Sequence, residues 1–208
     1  MCEVSIVPVV KQIEIMFEDF NQRLFESALS KPVITVNSDN SNRANSSVLG
    51  WCTSWQAWKD SEDNGYYEIN ISCDYLDRGI AENAETLVHE MVHLYCVQNG
   101  IKDTSRAGTY HNKKYKEVAE AHGMIVAFDK KRGWTVTKLN DEMAKYVNEK
   151  YSDVELAYNG MVSGGGEKKK SSTRKYTCPS CGVTVRATKE VKIVCYECDV
   201  LMFLENND

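Results

Sequence analysis

Between Ala81 and Gln98 the chain runs Leu87-Val88-His89-Glu90-Met91-Val92-His93-Leu94, an apolar stretch with a carboxylate and two imidazoles inside it. Its period and length predict a helix, closed by Asn99-Gly100. At 3.6 residues per turn, positions i and i+4 share a face, so His89 and His93 can reach one metal ion. Glu90 is turned by about 100° from His89, so it stands beside such an ion and can take a proton from a metal-bound water. Polar groups in so apolar a helix are costly unless they have a partner, and a metal supplies one. The fold must then deliver a third ligand to the same face, because a catalytic zinc takes three protein ligands and a water.

Only two other histidines exist. His111 follows His93 after 17 intervening residues and opens a second predicted helix, 111–123. His122 comes eleven residues later, about 16 Å further along a helix, so one ion cannot take both. His111 is the better candidate, since it can approach from a loop while its helix packs antiparallel on the first. His122, beside Gly123, reads as a structural or helix-capping group. Spacing alone leaves Asp103, Glu117 and Glu120 open as a carboxylate third ligand.

A second constellation lies near the C-terminus. Cys178-Pro179-Ser180-Cys181 and Cys195-Tyr196-Glu197-Cys198 are separated by 13 residues. In a chain with no export signal, paired CxxC motifs read as metal ligands and not as disulfides. Four thiolates fill a tetrahedral zinc and leave no open position, so this ion is structural. Val183 to Val185 and Lys192 to Val194 read as paired strands, with Leu201 to Leu204 as a third. So small a module has little core, and its folding is expected to depend on the metal.

Met161 to Thr173 (MVSGGGEKKKSST) has almost nothing to bury and reads as a flexible linker. The expected organisation is a domain over 1–160, the linker over 161–173 and a four-cysteine zinc ribbon over 174–208. Within the first domain, further helices are expected over 8–28 and 141–151. Strands are expected over 33–36 and 66–72, a loop over 37–47, and a short extended piece over 133–136. Trp51, Trp55 and Trp58 have the spacing of a packed face and read as core.

Of the 208 residues, 42% are hydrophobic and 26% charged, which excludes a wholly disordered, collagen-like or polytopic membrane protein. The apolar run Val4 to Val10 is broken by Ser5 and Pro8 and falls far short of the roughly 20 residues that span a bilayer. With no signal peptide visible, the default expectation is a cytoplasmic monomer with no membrane partner. The net charge of −5 is uneven: from Glu167 onward eight basic residues face six acidic ones, leaving −7 on the rest. Lys168 to Lys192 holds eight basic residues and one acidic, which makes DNA a candidate partner of the linker and ribbon.

Several segments in order resemble the SprT-like zinc metallopeptidases, the family that includes the Spartan proteases. They are FNQRLF (Phe20 to Phe25), PVITV (Pro32 to Val36), LGW (Leu49 to Trp51), EINIS (Glu68 to Ser72), LVHEMVHLY (Leu87 to Tyr95) and GTYHNKKY around His111 and Tyr115. The resemblance covers roughly residues 10 to 155. It implies an α+β fold: a minimal zincin-like metallopeptidase domain with helices packed on a small mixed sheet, followed by the zinc ribbon common in bacterial members. It also implies that His89, His93 and His111 bind a catalytic zinc, that Glu90 is the general base, and that the substrate is a protein or peptide, with DNA-associated proteins a candidate class. The spacer before His111 is longer than usual and lacks the Gly-His-Gly signature. In zincins an extended substrate pairs with an edge strand; Tyr66 to Ser72 and Leu49 to Thr53 are the candidates here. Tyr110, beside His111, is a candidate oxyanion donor. The alternative is a nucleic-acid- or protein-binding adaptor on a catalytically weak scaffold, which would need the histidines at most. Retention of Glu90 favours the enzyme.

Overall fold

The computed structural model describes residues 5–38, 48–156 and 174–205. The chain divides into two compact units, Met1–Met161 and Val162–Asp208. Together they are a mixed α+β protein with small sheets and a C-terminal cluster of four cysteines. The expected linker lies outside the described residues. Among the described residues no helix is long and apolar enough to cross a membrane.

The first unit opens with α1 (Val7–Phe25), whose buried residues Val9, Ile13, Met16, Phe17 and Phe20 make one helical face. The helix stops at Glu26, which is left-handed at φ 53°, earlier than the sequence period suggests. Asn21 secures the reversal by bonding both the N–H and the C=O of Leu29, at 3.1 and 3.0 Å. Strand β1 (Val33–Asn37) follows, then β2 (Gly50–Cys52), the small hairpin β3 (Trp58–Lys59) and β4 (Gly65–Tyr66), and β5 (Glu68–Ser72). Strand β5 is the middle of a three-stranded sheet, parallel to β1 and antiparallel to β2. Tyr66 to Ser72 is therefore not an edge, whereas among the described residues β2 is.

The tryptophans are not a core face. Trp55 is 65% and Trp58 45% exposed, and Trp51 is half-buried. The indole N–H groups of Trp51 and Trp58 both donate to the Glu68 carboxylate, at 3.3 and 2.6 Å. An indole that finds a polar partner at the rim of a sheet gains its hydrogen bond without entering the apolar interior.

After a short 3₁₀ segment (Cys73–Arg78) comes α2 (Ile80–Gln98), the central helix, against which α1, β2 and β5 pack. Its buried residues, Leu87, Val88, Met91, Val92 and Leu94 among them, surround the polar triplet. The chain returns through β6 (Thr104–Ser105) and β7 (Tyr110–His111), then α3 (Lys113–Ala121), β8 (Met124–Asp129), β9 (Gly133–Leu139) and α4 (Asp141–Lys150). His111 thus belongs to a strand; Asn112 caps α3 by accepting from the N–H groups of Lys114 and Tyr115. Strands β6-β7-β9-β8 form the second sheet, with α3 and α4 on α2.

In the second unit β10 (Arg174–Thr177) lies between β11 (Thr184–Ala187) and β14 (Phe203–Leu204), while β12 (Val194–Cys195) pairs with β13 (Val200–Leu201). The expected pairing of the 183–185 and 192–194 segments with each other does not form. Instead, each CxxC turn folds its own two flanks together.

Candidate metal centre

Two elements bring the imidazoles together. His89 and His93 stand one turn apart on α2, and His111 arrives on β7. Strand β7 is held on one side by β6, where Thr104 pairs with His111, and on the other by β9, where His111 pairs with Gly133. His111 Nε2 lies 3.2 Å from His89 Nε2 and 3.0 Å from His93 Nε2. Tyr115, fully buried, forms the floor, with its ring centroid 4.6 to 5.0 Å from those of all three imidazoles.

The outer ring nitrogens are tied differently. His93 Nδ1 is 2.5 Å from Asp103 Oδ2, and His89 Nδ1 is 2.9 Å from Thr137 Oγ1. His111 Nδ1 is buried with no hydrogen-bond partner. Burial, together with the neighbouring imidazoles, pushes His89 well below the usual histidine range and His111 down to about 4, so both rings are neutral near pH 7. The three rings crowd their Nε2 atoms together, and a single proton between them can serve only one pair. One cation satisfies every lone pair, so the donor set fits a metal such as zinc.

Glu90 is buried at 5% exposure beneath β2. A Cβ placed on Gly50 would sit 3.2 Å from Glu90 Cγ and 2.8 Å from the Asn70 carbonyl, so only glycine lets the strand approach this closely. Burial pushes the Glu90 carboxyl up to about 7, with the Asp103 charge adding and His93 and the Cys52 backbone N–H opposing. A carboxyl balanced near neutrality can both take and return a proton.

The remaining candidates lie elsewhere. His122 ends α3, with Nδ1 2.7 Å from the Val118 carbonyl and its ring stacked 4.4 Å from that of Phe25. Glu117 and Glu120 are exposed. Asp103 meets the outer nitrogen of His93, away from the converging Nε2 atoms. Tyr110 is half-buried under the Arg106 guanidinium, 4.5 Å from its ring centroid. Sequence reasoning missed Thr137, Gly50 and Gly133. Gly50 stands within the LGW segment, but nothing in that segment shows that Glu90 packs beneath it.

In the second unit, one ligand atom from each of Cys178, Cys181, Cys195 and Cys198 lies within 4.8 Å of the others. The backbone N–H groups of Cys181 and Ser180 point at Cys178 Sγ and lower its thiol to about 6, which favours the thiolate that a metal needs. Four thiolates this close repel unless a cation lies among them, so this set also fits zinc.

A family model described as SprT-like matches residues 13–140. No curated protein and no solved structure matches the chain.

Proposed function

The chain belongs to the SprT-like family, and from that premise we propose that it is a zinc-dependent endopeptidase with a minimal zincin fold over 1–160, joined by the 161–173 linker to a structural zinc ribbon over 174–208. The observation that carries the reading is the meeting of three imidazole Nε2 atoms beside a buried carboxylate, under the edge of a sheet. His89, His93 and His111 would hold the catalytic zinc, and the four ribbon cysteines a second ion. A bound zinc supplies Lewis acidity, which acidifies water and polarises a carbonyl. Glu90 accepts the proton of the attacking water and passes it to the leaving amine nitrogen.

Strand β2 offers the place for an extended substrate. The Leu49 carbonyl accepts from Ser72 N–H at 2.9 Å and Thr53 N–H donates to the Glu68 carbonyl at 3.0 Å, so these residues spend their groups on β5. By alternation Gly50 and Cys52 face the other way. Cys52 N–H is used by Glu90, which among the described residues leaves the Gly50 groups and the Cys52 carbonyl to pair with a peptide.

The substrate class we propose is protein, including protein on DNA. Exposed Arg174, Arg186, Lys189 and Lys192, with Tyr196 at 95% exposure, support nucleic-acid contact by the ribbon. Glu90→Gln tests the enzyme: zinc content is kept and peptide cleavage is lost. Equal behaviour of variant and wild type in every cleavage assay refutes it. Affinity of the full chain for DNA should fall steeply with salt, and a flat response removes nucleic acid from the account.

A further inference from the structure

We propose that Asp103 is a positioning residue that fixes the second helix ligand and the third ligand at once, an inference that rests on the metal reading above. Beyond α2 the chain turns back at Gly100, where Ile101 N–H bonds the Cys96 carbonyl at 2.8 Å. Asp103 follows and makes two bonds in opposite directions. Its carboxylate meets His93 Nδ1. Its carbonyl accepts the N–H of Asn112, the residue after His111, at 2.9 Å. The neighbours close the same junction: Asn112 Nδ2 donates to the Lys102 carbonyl at 2.8 Å, and Thr104 pairs with His111.

A carboxylate only accepts, so it fixes the proton of His93 on Nδ1 and leaves the Nε2 lone pair facing the other two rings. The Thr137 hydroxyl on His89 can donate or accept, so it orients that ring without choosing its tautomer. His111 has no such side-chain help: its Nδ1 makes no well-aligned hydrogen bond, although the Arg132 main chain acts on the ring. Its ring is placed by the backbone ladder that begins at Asp103. Loss of this one carboxylate therefore loosens His93 directly and unties it from the hairpin base that places His111, whose main-chain bond from Asn112 remains.

The test is zinc affinity of the full chain, measured by competition with a chromophoric chelator, with the cobalt(II) spectrum and thermal unfolding of the metal-free protein recorded alongside. Asp103→Ala should weaken the three-histidine site about 10–100-fold and alter its cobalt spectrum, with the four-cysteine site unchanged. Thr137→Val should lose less. Asp103→Asn, whose amide oxygen still accepts from Nδ1 but carries no charge, should fall between Ala and wild type, about tenfold down, and it decides the matter if the Ala variant does not fold. Wild-type affinity in either folded variant overturns the assignment, as does a change confined to the unfolding of the metal-free protein. A wild-type chain that takes up metal only at its cysteines overturns the metal reading together with this one.

Discussion

Gly133 shows how much of the site depends on a single backbone position. It sits at φ +78°, and an added Cβ would lie 2.1 Å from the His111 carbonyl and 2.9 Å from the Tyr110 ring. The left-handed backbone alone costs a side chain about 1–3 kcal/mol. The collision is relieved by parting β9 from β7, the strand that carries the third imidazole. Gly133→Ala should therefore lower the melting temperature and weaken zinc at the histidines while the cysteine site keeps its ion. Metal analysis per chain, before and after mild chelation, reads this directly; equal retention at both sites would mean that β7 does not depend on the glycine. The His89–Glu90–His93 triplet was legible from period alone, because helical geometry puts i and i+4 on one face. The contribution of residue 133 was not, because it depends on a strand pairing between segments more than 20 residues apart.

Among the elements, α1 and α4 are joined by a polar cluster around Asp19. Tyr146 and Tyr151 donate hydroxyls to its carboxylate at 2.8–2.9 Å and Lys150 an ammonium at 2.6 Å. Burial pushes the Asp19 carboxyl up, but the bonds from Lys150, Tyr146 and Tyr151 outweigh it and hold the group below its usual 3.8. A depressed folded pKa stabilises the protein above the unfolded value, and that gain is lost as pH falls through the folded value. Asp19→Asn should thus cost about 1–3 kcal/mol at neutral pH. The gap to wild type should narrow below about pH 4. Denaturant titrations of both proteins at pH 7 and pH 3.5 check it, and a constant gap would show that the carboxylate charge is not what matters. Helix existence followed from apolar spacing, since α1 and α2 bury the residues their period marks, whereas β5, whose alternation suggests one buried face, also buries Asn70 and Ser72. The elements that escaped are those whose partners decide their fate. Strand β8 alternates buried Met124 and Val126 with exposed Ile125, yet this reads as a strand only beside β9. The tryptophans have core spacing, but Glu68 holds two of them at the rim.

For the whole molecule, the two units differ in what keeps them folded. The first buries residues from all four helices and both of its larger sheets in one core. The second buries only Tyr176, Cys178, Cys195 and Met202 among its described residues, and two of these belong to the four-cysteine cluster that could hold a metal. A core this small does not offset the entropy of ordering its chain, so on the proposed reading metal binding would supply folding free energy there. The intact chain should hold two zinc ions, and removal of residues 162–208 should leave one. Strong chelation should separate the units: the ribbon's amide signals should collapse to unfolded positions while the helical far-ultraviolet signal is largely kept. The histidines lose their ion in the same experiment, but the apolar packing of α1, α2, α3 and α4 does not pass through it. A single cooperative loss of both units on chelation would contradict this division, because it would require the first core to depend on its metal as fully as the ribbon does.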